Sequence, residues 1–315
     1  MSRYSINGYV IALRNRSTHT ICTEGKDDSI AVKHCLLDFL NPKELVNQKY
    51  VIDTMEIIES DGVTYGNKDK LLKIHECIVG TPTANNVSMF ADREYSYFDI
   101  NNIEIDSKPI HIKESDILWY TRGHSIENYL FEPNFYIKYL EFNHPDQLLG
   151  NYKNLINDNW QNILDSSASL TYSIHEHNLC TKSKGLFCYN DWQMVSADKI
   201  VINTNSVKLQ LLTRGIPQNK VDSILSRAAA LQPILSKKTV TKWIIHGHIG
   251  LDLLCGAIGC VLLSLGTSEH ICNAIGGNCT VKFKYLVSQW YLNSTAKPEE
   301  FPIKLFQRIE NAVLS

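Results

Sequence analysis

Acidic residues stand where three apolar runs end. In "HTICTEGKDD" the run closes at Glu24, and Asp27 and Asp28 follow. In "NNVSMFADREY" it closes at Asp92, with Glu94 two residues on. In "SDILWYTRGHSIENYL" the acid is Glu127. Gathered carboxylates raise one another's pKa, and a divalent cation removes that conflict. Hard oxygens suit Mg²⁺ or Mn²⁺, which keep waters and share substrate phosphate oxygens. One or two such ions polarise a phosphodiester, activate water and stabilise the leaving oxygen. Glu24, Asp28, Asp92, Glu94 and Glu127 are therefore the candidate metal ligands. Each acid alone also has a plainer explanation: Asp27 and Asp28 suit the first turn of a helix, Asp92 suits a turn, and Glu127 suits a solvated helix.

Other residues could assist. Lys26 and Arg93 lie inside the acidic motifs, where they could contact phosphate or simply neutralise the acids. Ser125 and Asn128, with Arg122 and His124, border Glu127 and could hold it in place. In "KWIIHGHIGLDLL", His248 could steady transition-state charge, with His246 as second choice. Zinc held by these histidines with Cys255 or Cys260 matches no strong spacing. Lys182, Lys184, Lys237, Lys238 and Lys242, interleaved with Phe187, Tyr189 and Trp243, could line a groove for RNA or form ordinary solvated surface.

The elements that must position these residues follow from periodicity. Strands are expected at 19–24, 49–56, 85–92 and 115–123, and helices at 27–41, 67–80 and 125–142, the last interrupted at Pro133. Strand–helix alternation at this spacing predicts an α/β fold, a parallel sheet flanked by helices. In such sheets, active sites lie beyond the carboxyl ends of the strands. Residues 150–235 read as mostly helical and polar, with uncertain stretches at "LFCYND" and "DKIVINT". The turn formers of "NHPDQLLGN" suggest a boundary, giving a catalytic domain over 1–145 and a mainly helical region over 146–315, with 237–265 expected to pack back on the catalytic site.

The chain has 315 residues, enough for one large or two modest domains. Its net charge of −2 argues against a global polyanion-binding surface, so any nucleic-acid partner must be met by a local site. Nine cysteines without a CxxC pair, and an N-terminus lacking an apolar core, fit reduced thiols in the cytoplasm. The run 249–266 is short for a membrane span and carries Asp252, so it reads as a buried core helix and no membrane partner is expected.

The motifs at Glu24 and at Asp92 and Glu94 resemble the Toprim domain of topoisomerases, bacterial primases and OLD-family nucleases, over about residues 18–142, so the catalytic domain of 1–145 is expected to be Toprim-like. The Toprim pattern has a Glu after its first strand and a DxD-type pair after its third; Glu94 departs from it by one methylene. OLD-type nucleases add an acid matching Asp28, an SxE-like element matching Ser125 and Glu127, and a late basic residue for which His248 would stand. The "IENYL" element, Ile126–Leu130, is similar to that of a family of Toprim proteins that includes the AriB-like effectors of the PARIS anti-phage defence system. The resemblance implies a Mg²⁺- or Mn²⁺-dependent endonuclease, with Glu24, Asp92, Glu94, Glu127 and His248 catalytic, and Glu24 a general acid or base. It further implies tRNA as substrate, an AriA-like ABC-type ATPase partner that holds the toxic effector inactive, and a homodimer when active. Two alternatives stay open: a DNA-nicking Toprim nuclease, and a non-catalytic Toprim module that docks a partner.

Overall fold

The computed structural model describes residues 4–40, 50–59, 66–96, 98–99, 115–236, 241–276, 286–287 and 302–314. Lys237 and Lys238 lie outside the described residues. The chain forms two compact units. One comprises residues 1–93, 108–122 and 287–315, and the other 94–107 and 123–286. The expected catalytic domain of 1–145 thus draws on both units.

The first unit is built on a parallel sheet. Its strands are β1 (His19–Thr23), β2 (Tyr50–Thr54), β3 (Val87–Ala91) and β4 (Leu118–Tyr120), in the order β2-β1-β3-β4. β1 and β3 are central and buried along their whole length, which is why they read as unbroken apolar runs. Helices α1 (Ile6–Asn15) and α3 (Asn67–Ile78) cover one face: Tyr9, Leu13, Leu71, Ile74 and Ile78 form one core with Cys22, Met89 and Leu118. Helix α2 (Lys26–Leu40) and the C-terminal helix, α12 (Ile303–Leu314), serve the other face, where the Phe39 and Phe306 rings lie 5.8 Å apart. The α/β class and flanked parallel sheet expected from the sequence are those observed.

The topology creates a crevice. From β1 the chain passes through α2 to β2 on one side, while β3 is followed in the sheet by β4 on the other. β1 and β3 are neighbours whose onward connections diverge. Beyond the carboxyl ends of such a pair, open α/β sheets leave room for a ligand. Glu24 and Asp92 are the first residues past these two ends.

The second unit is mainly helical. Helices α4 (Pro133–Asn143) and α5 (Tyr152–Glu176) are followed by the short α6 (Cys180–Ser183) and a hairpin of β5 (Trp192–Ser196) and β6 (Lys199–Ile202). Then come α7 (Thr204–Thr213), α8 (Gln218–Leu235), α9 (Thr241–Ile244), α10 (Gly247–Ser264) and α11 (Glu269–Gly276). α5 anchors the hairpin through Asn159, which accepts the Ile200 N–H at 3.1 Å and donates to the Asp198 carbonyl at 2.9 Å. The hairpin falls within the region read as mostly helical. α10 is the apolar run read as a core helix and is buried along nearly all its length. Its Asp252 accepts the Gly185 N–H at 2.8 Å, so this buried charge has a partner.

Candidate active site

Three of the candidate acids, Glu24, Asp28 and Asp92, belong to the first unit. The Glu24 carboxylate, half-buried at the end of β1, accepts the Asp92 backbone N–H through Oε1 at 2.7 Å. This bond joins the ends of two adjacent strands. An aspartate's carboxylate oxygens lie within about 5 Å of its own amide nitrogen, so the two carboxylates are within roughly 8 Å of each other. Asp28 is buried, and its Oδ2 accepts the Gly25 N–H at 2.9 Å. That is the reciprocal half of a capping box at the start of α2, the plainer of its two expected roles. It also tightens the turn that follows Glu24.

The two cations of the acidic motifs differ. Lys26 is exposed and lies 3.4 Å from Glu56, a surface ion pair of small worth. Arg93 is 1% exposed. Its amide donates to Thr121 Oγ1 at 2.9 Å and its guanidinium to the Arg122 carbonyl at 2.9 Å. It braces the ends of β3 and β4, and the phosphate contact expected of it would require that buried brace to open.

The second unit holds the other candidates. Glu94 is exposed, with φ at +56°, the left-handed region that few non-glycine residues adopt. Its N–H donates to the His124 carbonyl at 2.7 Å. "IENYL" forms a 3₁₀ turn over Ile126–Leu130. Asn128 is fully buried: it accepts the Ser125 N–H at 2.7 Å and donates to the carbonyls of Lys242 at 2.6 Å and Ile245 at 2.8 Å. The His124 N–H adds a bond to the Trp243 carbonyl at 2.6 Å. The turn is thereby clamped to the segment that leads into α10.

The clamp sets Glu127 against the first turn of α10. Its carboxylate is buried, and Oε1 lies 3.5 Å from Nδ1 of His248, whose side chain is 47% exposed. A Cβ at Gly247 would overlap Ser125 Oγ and Glu127 Oε2 and come within 2.7 Å of Glu127 Cδ, so only glycine admits this approach. His246 differs from its neighbour. Burial pushes its pKa down to about 4, so it is neutral near pH 7 and cannot offset anionic charge there.

Sequence reasoning missed His175, whose ring stacks on Tyr95 at 4.0 Å. Burial lowers its pKa while the Glu94 charge opposes the shift. It lies in the last turn of α5, and no motif marked it. The importance of Gly247 was also missed, since nothing in the sequence tells which side chain approaches it.

The donors of the first unit suit a hard cation by type. Among the described residues, no three His, Cys, Asp or Glu side chains are grouped to hold an ion, zinc included. Mg²⁺ does not demand such a group: one or two carboxylates with water and substrate phosphate are its usual shell.

No protein-family model matches the chain. No curated protein matches it in sequence.

Proposed function

We propose that this protein is a metal-dependent nuclease that hydrolyses phosphodiesters in nucleic acid, with Mg²⁺ or Mn²⁺ held at Glu24 and Asp92. The carrying observation is the 2.7 Å bond from the Asp92 N–H to Glu24, at the divergence of a parallel sheet. It fixes one oxygen of Glu24, as outer-shell bonds do for metal-binding carboxylates. Such an ion supplies phosphate polarisation, an acidified water and charge balance for the leaving oxygen. Glu24 orients itself through Asp92, and Asp28 holds the turn between Glu24 and α2. Glu94, Glu127 and His248 enter through the Toprim resemblance.

The same resemblance supports the finer reading: cleavage of host tRNA by an anti-phage effector in the cytoplasm, a homodimer when active, held inactive by an AriA-like ABC-type ATPase. The non-catalytic docking module is the second reading, favoured by Glu94, which stands where the Toprim pattern has Asp.

Sequencing RNA and DNA ends after expression, with and without the Glu24→Ala substitution, tests the proposal. Mg²⁺- or Mn²⁺-dependent ends that vanish in the variant are expected. Identical ends from a well-folded Glu24→Ala protein reject it, and DNA ends alone reject the tRNA reading.

A further inference from the structure

We infer that Glu127 is a positioning residue for His248: the buried carboxylate fixes the imidazole with Nδ1 protonated and Nε2 presented to solvent as the acceptor for an O–H group. This rests on the nuclease reading for its role in turnover, and extends it by assigning to Glu127 a task other than the metal ligation expected from the sequence.

Three features carry the inference. The first is direction. Oε1 of Glu127 faces Nδ1 of His248 at 3.5 Å. A carboxylate oxygen offers an acceptor, so the nitrogen facing it is the one that carries the hydrogen, and an imidazole with its single hydrogen on Nδ1 has its lone pair on Nε2. The second is the contrast in exposure: the carboxylate is buried while the imidazole is 47% exposed. A buried acid behind an accessible histidine is how proteins select the tautomer of an imidazole that meets substrate.

The third is construction. Glu127 is held by the Asn128 clamp, by the His124–Trp243 backbone bond and by the missing side chain at Gly247. Its other oxygen lies against the first turn of α10, where the positive end of the helix dipole favours negative charge. A solvated surface glutamate would need none of this. The ligand class is an O–H donor beside a phosphodiester, either water or a ribose hydroxyl. His246 cannot share the task, being buried and neutral.

The full chain with ¹⁵N-labelled histidine tests the inference by NMR, with His248→Asn identifying the signals. At pH 8, wild type is expected to show Nδ1 protonated and Nε2 bare. Glu127→Gln retains an acceptor oxygen and should retain this tautomer. Glu127→Ala should lose it, and Gly247→Ala should lose it by displacing the carboxylate. Circular dichroism checks folding, and Glu127→Ala decides if Gly247→Ala does not fold. Mn²⁺ affinity should be unchanged in Glu127→Gln. In turnover, Glu127→Ala should lower kcat about 10²-fold, at the low end for positioned proton transfer, with KM little changed, and Glu127→Gln should fall between. An unaltered His248 tautomer in Glu127→Ala overturns the inference. So does a tenfold loss of Mn²⁺ affinity in Glu127→Gln, the mark of a ligand. If wild type cleaves neither RNA nor DNA, the nuclease reading fails while the tautomer measurement still decides this one.

Discussion

Replacing Asn128 with alanine should destabilise the second unit severely. The side chain is fully buried and makes three short bonds to backbone groups: the Ser125 N–H and the carbonyls of Lys242 and Ile245. The Ser125 N–H and the Ile245 carbonyl are left shut away from water and the Lys242 carbonyl partly so, at about 1–3 kcal/mol for a buried unsatisfied donor or acceptor. Partial relaxation and non-additivity bring the expected loss to about 3–5 kcal/mol. Asn128→Asp sharpens the test. It keeps the acceptor for Ser125 but turns carboxylate oxygen toward two carbonyls, so its folded-state pKa should rise above the unfolded value. Its penalty is then full above the folded pKa and shrinks as pH falls, because the protonated acid can donate one bond. Urea unfolding followed by tryptophan fluorescence reads this locally, since Trp243 packs edge-on against Tyr129 at 5.2 Å. Asn128→Ala within 0.5 kcal/mol of wild type, or an Asn128→Asp protein that loses stability relative to wild type on mild acidification, would refute the clamp.

The remaining expectations are simpler to state. Glu24→Gln should abolish cleavage yet cost stability only about 1 kcal/mol, because the amide oxygen still accepts the Asp92 N–H; urea unfolding and the cleavage assay separate the two effects. Gly256→Ala should cost about 1–3 kcal/mol by overpacking, since its Cβ would come within 2.6 Å of the Cys188 carbonyl; a neutral thermal scan would contradict it. Burial holds His19 and His246 at about 4, below the ordinary 6.5. Their stabilising effect is therefore full above pH 6.5 and is lost as pH falls toward 4, by an amount on the order of 3 kcal/mol each. A pH series of unfolding free energies should slope downward over that window, and less so in a His19→Asn, His246→Asn protein.

What could be read from the sequence divides along physical lines. β1 and β3 are buried on both faces, so they stand out as apolar runs, and the acids that close them stand out with them. α2 was legible from its acidic first turn, and α10 from a long apolar run broken by a single charge, Asp252. α1 is not among the expected helices, although Ser5 caps it by accepting the Gly8 N–H at 3.1 Å, because its opening residues read as a polar N-terminus. "IENYL" looked helical because its apolar spacing is helical, yet Pro133 restarts the chain as α4 and leaves only a 3₁₀ turn. The Glu127–His248 pair was beyond reach: it depends on which backbone carbonyls Asn128 selects, and those lie far along the chain.

The burial of α10 bears on how the protein is made. By length and composition its 18 residues could cross a membrane, yet 83% of that window is buried inside the protein. Its cover comes from both sides in the chain: α11 follows it directly, while α5 leaves the ribosome some seventy residues earlier. Before α10 emerges, α5 can already pack against the β5–β6 hairpin and α8, so α10 emerges as a greasy segment that must find its own place beside α5 still open. Long-range pairing of this kind folds slowly and exposes sticky surface meanwhile. Translation pauses or chaperone supply near that point should therefore govern the soluble yield of this chain more than any single contact in its finished structure.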